Sequence, residues 1–190
     1  MNLKSAALAL TLAIVTCVPA RAKTILPDAC GDNKVGFEIK TKKDQPQPGA
    51  PETGKALIVF IETSISQPLT PAHEVRFGID GSWAGAAKGK AYFVVSVTPG
   101  EHHLCSSTQG ISLKEAAALE LIAEAGKTYY YEAAIGGGSS GGAIIGGGPG
   151  APMMMGGDGT RDHFSFLPLS DDEGKYRVKA WPLSISKAKN

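Results

Sequence analysis

Apolar and polar positions alternate most clearly between Glu74 and Cys105, where three strand signals are joined by two strong turn signals. In Val75-Arg76-Phe77-Gly78-Ile79 the apolar side chains recur at every second residue, the period of a strand with one buried face. Asp80-Gly81 follows directly, a pair that favours a two-residue type I′ hairpin because both central residues need positive φ. Trp83 then opens a short return strand. The run Ala91 to Val97 is β-branched and aromatic and apolar on both faces, which predicts a central strand covered on each side. Thr98-Pro99-Gly100-Glu101 closes it with the composition of a type II turn: Pro99 presets φ and Gly100 supplies the positive φ. Glu101 to Ser106 is the next strand.

The same periodicity extends outward. Val35 to Lys40 alternates and ends in lysine, as expected of an edge strand. Ala56 to Ile61 is an unbroken apolar run between Lys55 and Glu62, best read as a buried central strand. Lys114 to Ala125 carries both helical and strand signals. The alternation of Leu119, Leu121 and Ala123 with Glu120 and Glu124 favours a strand, forming a hairpin through Gly126-Lys127 with Thr128 to Tyr131. Tyr129 and Tyr131 then share a face opposite Tyr130. His163 to Leu169 returns as a strand with Phe164 and Phe166 on one face. Ser170 followed by Asp171, Asp172 and Glu173 predicts a capped helix, kept short by Gly174.

The resulting fold expectation is all-β: an antiparallel sandwich of about seven to nine strands, immunoglobulin-like or prealbumin-like, with a glycine-rich hairpin insertion and a short C-terminal helix. Its segments are a signal peptide at 1–22, an N-terminal strand and proline-rich linker at 23–54, a sandwich domain at 55–178 and a C-terminal tail at 179–190.

The Asp-Gly hairpin, the apolar strand, Pro99-Gly100-Glu101-His102 and the polar return strand together resemble the domain-of-unknown-function 2846 family of bacterial exported proteins. More loosely they are similar to surface-layer and carboxypeptidase-regulatory-like sandwich domains. The resemblance runs from about Cys30 to about Gly174 and takes in Gly54 to Phe60 and Ala125 to Tyr131. It implies a sandwich fold and brings no catalytic residues with it, since turn chemistry specifies fold and not activity.

Composition adds location. The chain has 190 residues, 43% of them hydrophobic, and a net charge of +1, which suits one globular domain and offers no basic field for nucleic acid. Lys4, the apolar run Ala6 to Val15 and the small-x-small site Ala20-Arg21-Ala22 form a secretory signal cut after Ala22. Cleavage removes two positive charges, Lys4 and Arg21, and turns +1 into −1. Cys17 offers a lipoprotein processing site as the alternative, but Thr16 before it fits poorly. Export to the periplasm or cell surface makes a Cys30–Cys105 disulfide the leading reading of the two remaining cysteines, with two independent thiols as the alternative.

Residues 133–157 are uncharged and hold 11 of the chain's 24 glycines, which reads first as a flexible loop extending a hairpin. Gly138, Gly142, Gly146 and Gly150 recur every four residues, the spacing that lets helices approach in membranes, so a membrane-inserting or self-associating segment is the second reading. Met153, Met154 and Met155 are an adhesive tip in either case.

Candidate chemistry is sparse. No nucleophile elbow, phosphate loop or His-Glu-x-x-His motif occurs. His102 and His103 point to opposite faces of one strand and cannot chelate a metal together. His103 and Cys105 share a face, yet a disulfide would consume the thiolate. Asp80, Gly81, Pro99 and Gly100 are assigned to turns, and Glu101 and Glu120 to solvated faces. The expected function is a non-enzymatic binding or structural module of the bacterial envelope, with no catalytic residue, metal or cofactor, whose partner is an envelope protein or surface ligand. The alternatives are an envelope protein that inserts through its glycine-rich segment and a small metal-dependent enzyme built on His103.

Overall fold

The computed structural model describes residues 26–43, 47–64, 72–110, 115–136 and 163–189. Residues 1–22, expected to be a signal peptide, and Cys17, Gly138, Gly142, Gly146, Gly150 and Met153 to Met155 lie outside them. Within the described residues the chain runs β1 (Gly36–Lys42), β2 (Ala56–Glu62), β3 (Glu74–Ile79), β4 (Ser82–Lys88), β5 (Ala91–Val97) and β6 (Gly100–Gln109). It continues through β7 (Ala116–Ala123), β8 (Thr128–Gly136), β9 (His163–Leu169), α1 (Asp171–Ala180) and β10 (Leu183–Lys189).

These strands build a six-stranded sheet of order β1-β10-β5-β2-β8-β9 and a four-stranded sheet of order β4-β3-β6-β7. Their inner faces share one core, so the arrangement is sandwich-like. Phe60 on β2 stacks on Phe77 on β3 with centroids 4.7 Å apart, and Tyr131 and Phe166 complete an aromatic cluster around them. The apolar run of β2 is buried along its whole length, as a central strand with both faces covered must be. Its other face, Leu57, Val59 and Ile61, joins Tyr92, Tyr130 and Val178 beneath α1. The tyrosines divide as their alternation requires, Tyr131 and Tyr129 toward the sandwich interior and Tyr130 toward the helix.

Several expectations are corrected. There are ten described strands, and the larger sheet is mixed: β8 runs parallel to β2, and β10 parallel to β5. Gly126-Lys127 joins no hairpin, because β7 belongs to the small sheet and β8 to the large one, and the chain changes layer there. The segment after Trp181 is no loose tail: β10 pairs along its full length with β1 and inserts β1–β10 as an edge of the large sheet. Thus α1 is followed by a strand, and strands outside 55–178 are integral to the fold. The glycine-rich stretch starts later than residue 133, since Ala133 and Ile135 are buried in β8, which pairs antiparallel with β9.

Gly174 does not limit α1. The helix continues to Ala180 from its Ser170 N-cap, whose Oγ accepts from the Glu173 amide at 3.3 Å. A β-carbon at Gly174 would clash with Cβ, Cγ and Cδ1 of Tyr130, so this glycine is what lets the helix lie against the sheet. Gly174→Ala is therefore expected to destabilise the protein by about 1–3 kcal/mol through overpacking, although alanine is the better helix former. Urea unfolding of the two proteins measures it, and a stabilised variant would refute the packing role.

At the free side of β1 the Gln109 side chain acts as a substitute strand. Its Oε1 accepts from the Phe37 amide and its Nε2 donates to the Phe37 carbonyl, both at 2.8 Å. The edge is blunted there.

Candidate functional site

The two turns read from the sequence meet at one end of the small sheet. Asp80 and Gly81 both have positive φ, 51° and 80°, and Ile79 pairs with Ser82, the geometry of a two-residue type I′ hairpin. Pro99-Gly100, with Gly100 at φ 135°, is a corner at which the chain leaves β5 in the large sheet and enters β6 in the small one. Asp80 ties the hairpin to β6. Its amide donates to the His103 carbonyl at 2.9 Å, and its Oδ1 accepts from the His103 amide at 2.8 Å.

His102 links both turns. Its Nδ1 lies 2.7 Å from Asp80 Oδ2 and its Nε2 lies 2.8 Å from the Thr98 carbonyl, with the ring almost wholly buried. Both ring nitrogens face acceptors, so the imidazolium form satisfies both. Burial works against that charge, but the Thr98 carbonyl and the Asp80 carboxylate outweigh it and raise the His102 pKa. For Asp80, slight burial is outweighed by the two histidines, and its pKa is lowered. The sequence placed Asp80 in a turn and His102 on the strand after the second turn; their partnership spans 22 residues and has no local signal.

Cys105, further along β6, is bonded to Cys30 with a Cα–Cα distance of 5.2 Å, so the staple expected from the sequence is present. It holds residues 26–35 across the outer face of the small sheet. Gly81 donates its amide to the Ala29 carbonyl, and Trp83 Nε1 donates to the Asp32 carbonyl at 2.8 Å. The buried Arg76 guanidinium stacks 4.2 Å from the Trp83 ring centroid and donates to the Val35 carbonyl at 2.6 Å. Bonded in this way, Cys105 offers no thiolate to a metal.

The remainder of that face is open. His103 and Glu120 are direct cross-strand partners on β6 and β7, and Glu101 lies two residues before His103 on the same side. All three are exposed, and a ligand atom from each lies within 4.8 Å of the others. His103 Nε2 is 3.6 Å from Glu101 Oε1. Ile122, next on the same face of β7, is 67% exposed. His73 precedes β3, at the far end of the small sheet, because Glu74 pairs with Gln109 while Ile79 pairs with Leu104. His163 pairs through its backbone with Gly136 in the other sheet. Neither joins the group.

A second chemically distinctive residue is Glu62, which the sequence presented only as the polar flank of β2. It points into the sandwich between Ala91 and Ala133 and is fully buried. Burial pushes its carboxyl up to about 7, against hydrogen bonds from the Ser64 hydroxyl and amide and the Lys90 amide. Oε1 accepts from the Ser64 amide at 2.8 Å, and Oε2 has no partner among the described residues. Ser64, Lys88, Lys90 and Pro182 border a shallow depression of about 440 Å³ nearby.

Among the described residues no helix is long and apolar enough to cross a membrane. Comparison with protein-family models, with curated proteins and with solved structures finds no match to this chain.

Proposed function

We propose that this protein is an exported, non-enzymatic β-sandwich module of immunoglobulin-like or prealbumin-like type, which binds an envelope protein or surface ligand in the bacterial periplasm or at the cell surface. The Cys30–Cys105 disulfide carries this reading. A buried bond that fastens an N-terminal segment over a sheet is a device for an oxidising compartment. The likeness of the Asp80-Gly81 hairpin and the Pro99-Gly100-Glu101-His102 corner to the domain-of-unknown-function 2846 family belongs to the same reading.

The binding surface we assign is the open half of the outer face, along β6 and the edge strand β7. It combines exposed Glu101, His103 and Glu120 with the apolar Ile122 on a rigid ladder. Exposed polar groups around a large apolar side chain suit recognition, and a disulfide-braced scaffold lowers the ordering cost of association. A photocrosslinking amino acid at position 122, introduced in cells of the native host, should give a discrete adduct in the envelope fraction. The same probe at Tyr176, equally exposed on α1 at the opposite side of the fold, should not. No adduct from 122, or equal labelling from both positions, would count against a binding role for this face.

A further inference from the structure

We propose that Glu101, His103 and Glu120 form an open site for a first-row divalent transition metal, with Zn²⁺ as the representative ion. The inference goes beyond the binding role and stands independently of it.

Geometry comes first. Antiparallel pairing sets His103 directly opposite Glu120, and the two-residue strand period returns Glu101 to the same face. Two ligand atoms on one tetrahedral zinc, each about 2.1 Å from the ion, are separated by about 3.4 Å. His103 Nε2 and Glu101 Oε1, 3.6 Å apart, already have nearly that spacing. The whole group lies within 4.8 Å, and its side chains are exposed and free to turn inward.

Charge points the same way. Two carboxylates converge on one imidazole, and among the described residues no lysine or arginine ion pair reaches Glu101 or Glu120. Like charges on neighbouring strand positions repel, and a dication removes that repulsion. The backbone beneath is braced. Both the amide and the carbonyl of His103 are bonded to Asp80, and Cys105 two residues on is covalently anchored. Only side-chain rotamers need ordering when the ion binds.

The donor set selects the ion. One imidazole nitrogen with two carboxylates suits zinc and its first-row neighbours, while calcium and magnesium prefer all-oxygen shells. Three protein ligands on an open face leave coordination positions for water or for a side chain of a partner.

Isothermal titration of the untagged, oxidised full chain with ZnCl₂ in a non-chelating buffer tests this. We expect one equivalent of Zn²⁺ to bind and the thermal midpoint to rise with zinc concentration. Binding should be lost in His103→Ala and weakened at least about tenfold in each of Glu101→Gln and Glu120→Gln. His73→Ala, at the far end of the sheet, should bind as the parent does. Circular dichroism of each variant checks that the sheets are intact, and the near-isosteric glutamines keep the test decisive if the alanine variant misfolds. Absence of saturable binding up to about 1 mM, or affinity unchanged in the three ligand variants, overturns the site. Calcium binding as tight as zinc would overturn the assignment of metal class.

Discussion

Glu62→Gln is expected to make the protein more stable by about 3 kcal/mol at pH 8, and by less than about 1 kcal/mol at pH 5. In the fold the Glu62 carboxyl is pushed up to about 7, whereas the unfolded chain holds it near 4.5. Between those values the folded state keeps a proton that the unfolded state has released. The stability that this proton supports is complete below about pH 4.5, declines as pH rises toward 7, and levels off above it. Gln mimics the protonated acid: it retains an oxygen for the Ser64 amide and carries no charge into the space between Ala91 and Ala133. Urea unfolding of parent and variant at pH 5, 6.5 and 8 gives the comparison. Parallel stability curves would show that Glu62 is not protonated in the fold. His102 acts in the same direction, since its raised pKa supports stability below about 6.5 that is lost as pH rises through its folded value. A decline remaining in the variant as pH rises above about 6.5 is the direction expected of His102.

The second large effect concerns the staple. The bond joins residues 75 apart, for which loop-closure entropy corresponds to about 4 kcal/mol. Cys30→Ser with Cys105→Ser should lower stability by that order. The loss should also loosen residues 26–35, whose carbonyls hold Arg76 and Trp83 in place. Unfolding midpoints of the parent before and after reduction, with alkylation and intact mass confirming that two thiols appear only on reduction, provide the measurement. An unchanged midpoint in fully reduced protein would remove the bond from the stability of the fold.

Much of the strand set was legible because it rests on local chemistry. Asp80-Gly81 declared its turn through backbone preference, β2 through an apolar run, and the tyrosines their faces through parity. What escaped is held by distant partners. Leu183–Lys189 reads as a basic tail, because Lys187 and Lys189 are solvated; it is a strand only by virtue of β1 and β5 on either side. Gly174 signals a helix end in isolation, and its reason for being there is Tyr130, 44 positions earlier in the chain. Of the candidate metal group, each residue was visible as a polar strand position, but β6–β7 register was needed to set Glu120 against His103. Glu62 stood in the sequence only as the polar flank of the apolar run, and the packing of two sheets buries it.

The pairing of β1 with β10 also governs when the molecule can finish folding. Lys42 meets Leu183, so the first described strand waits through roughly 140 residues of synthesis, on the order of ten seconds at ribosomal speed, before its neighbour exists. Closing so long a loop is slow, and until it closes the leading part of the large sheet lacks its edge. The β1–β10 edge of the large sheet therefore closes after the strands between them have been made, so this edge is the late-forming part of the described fold.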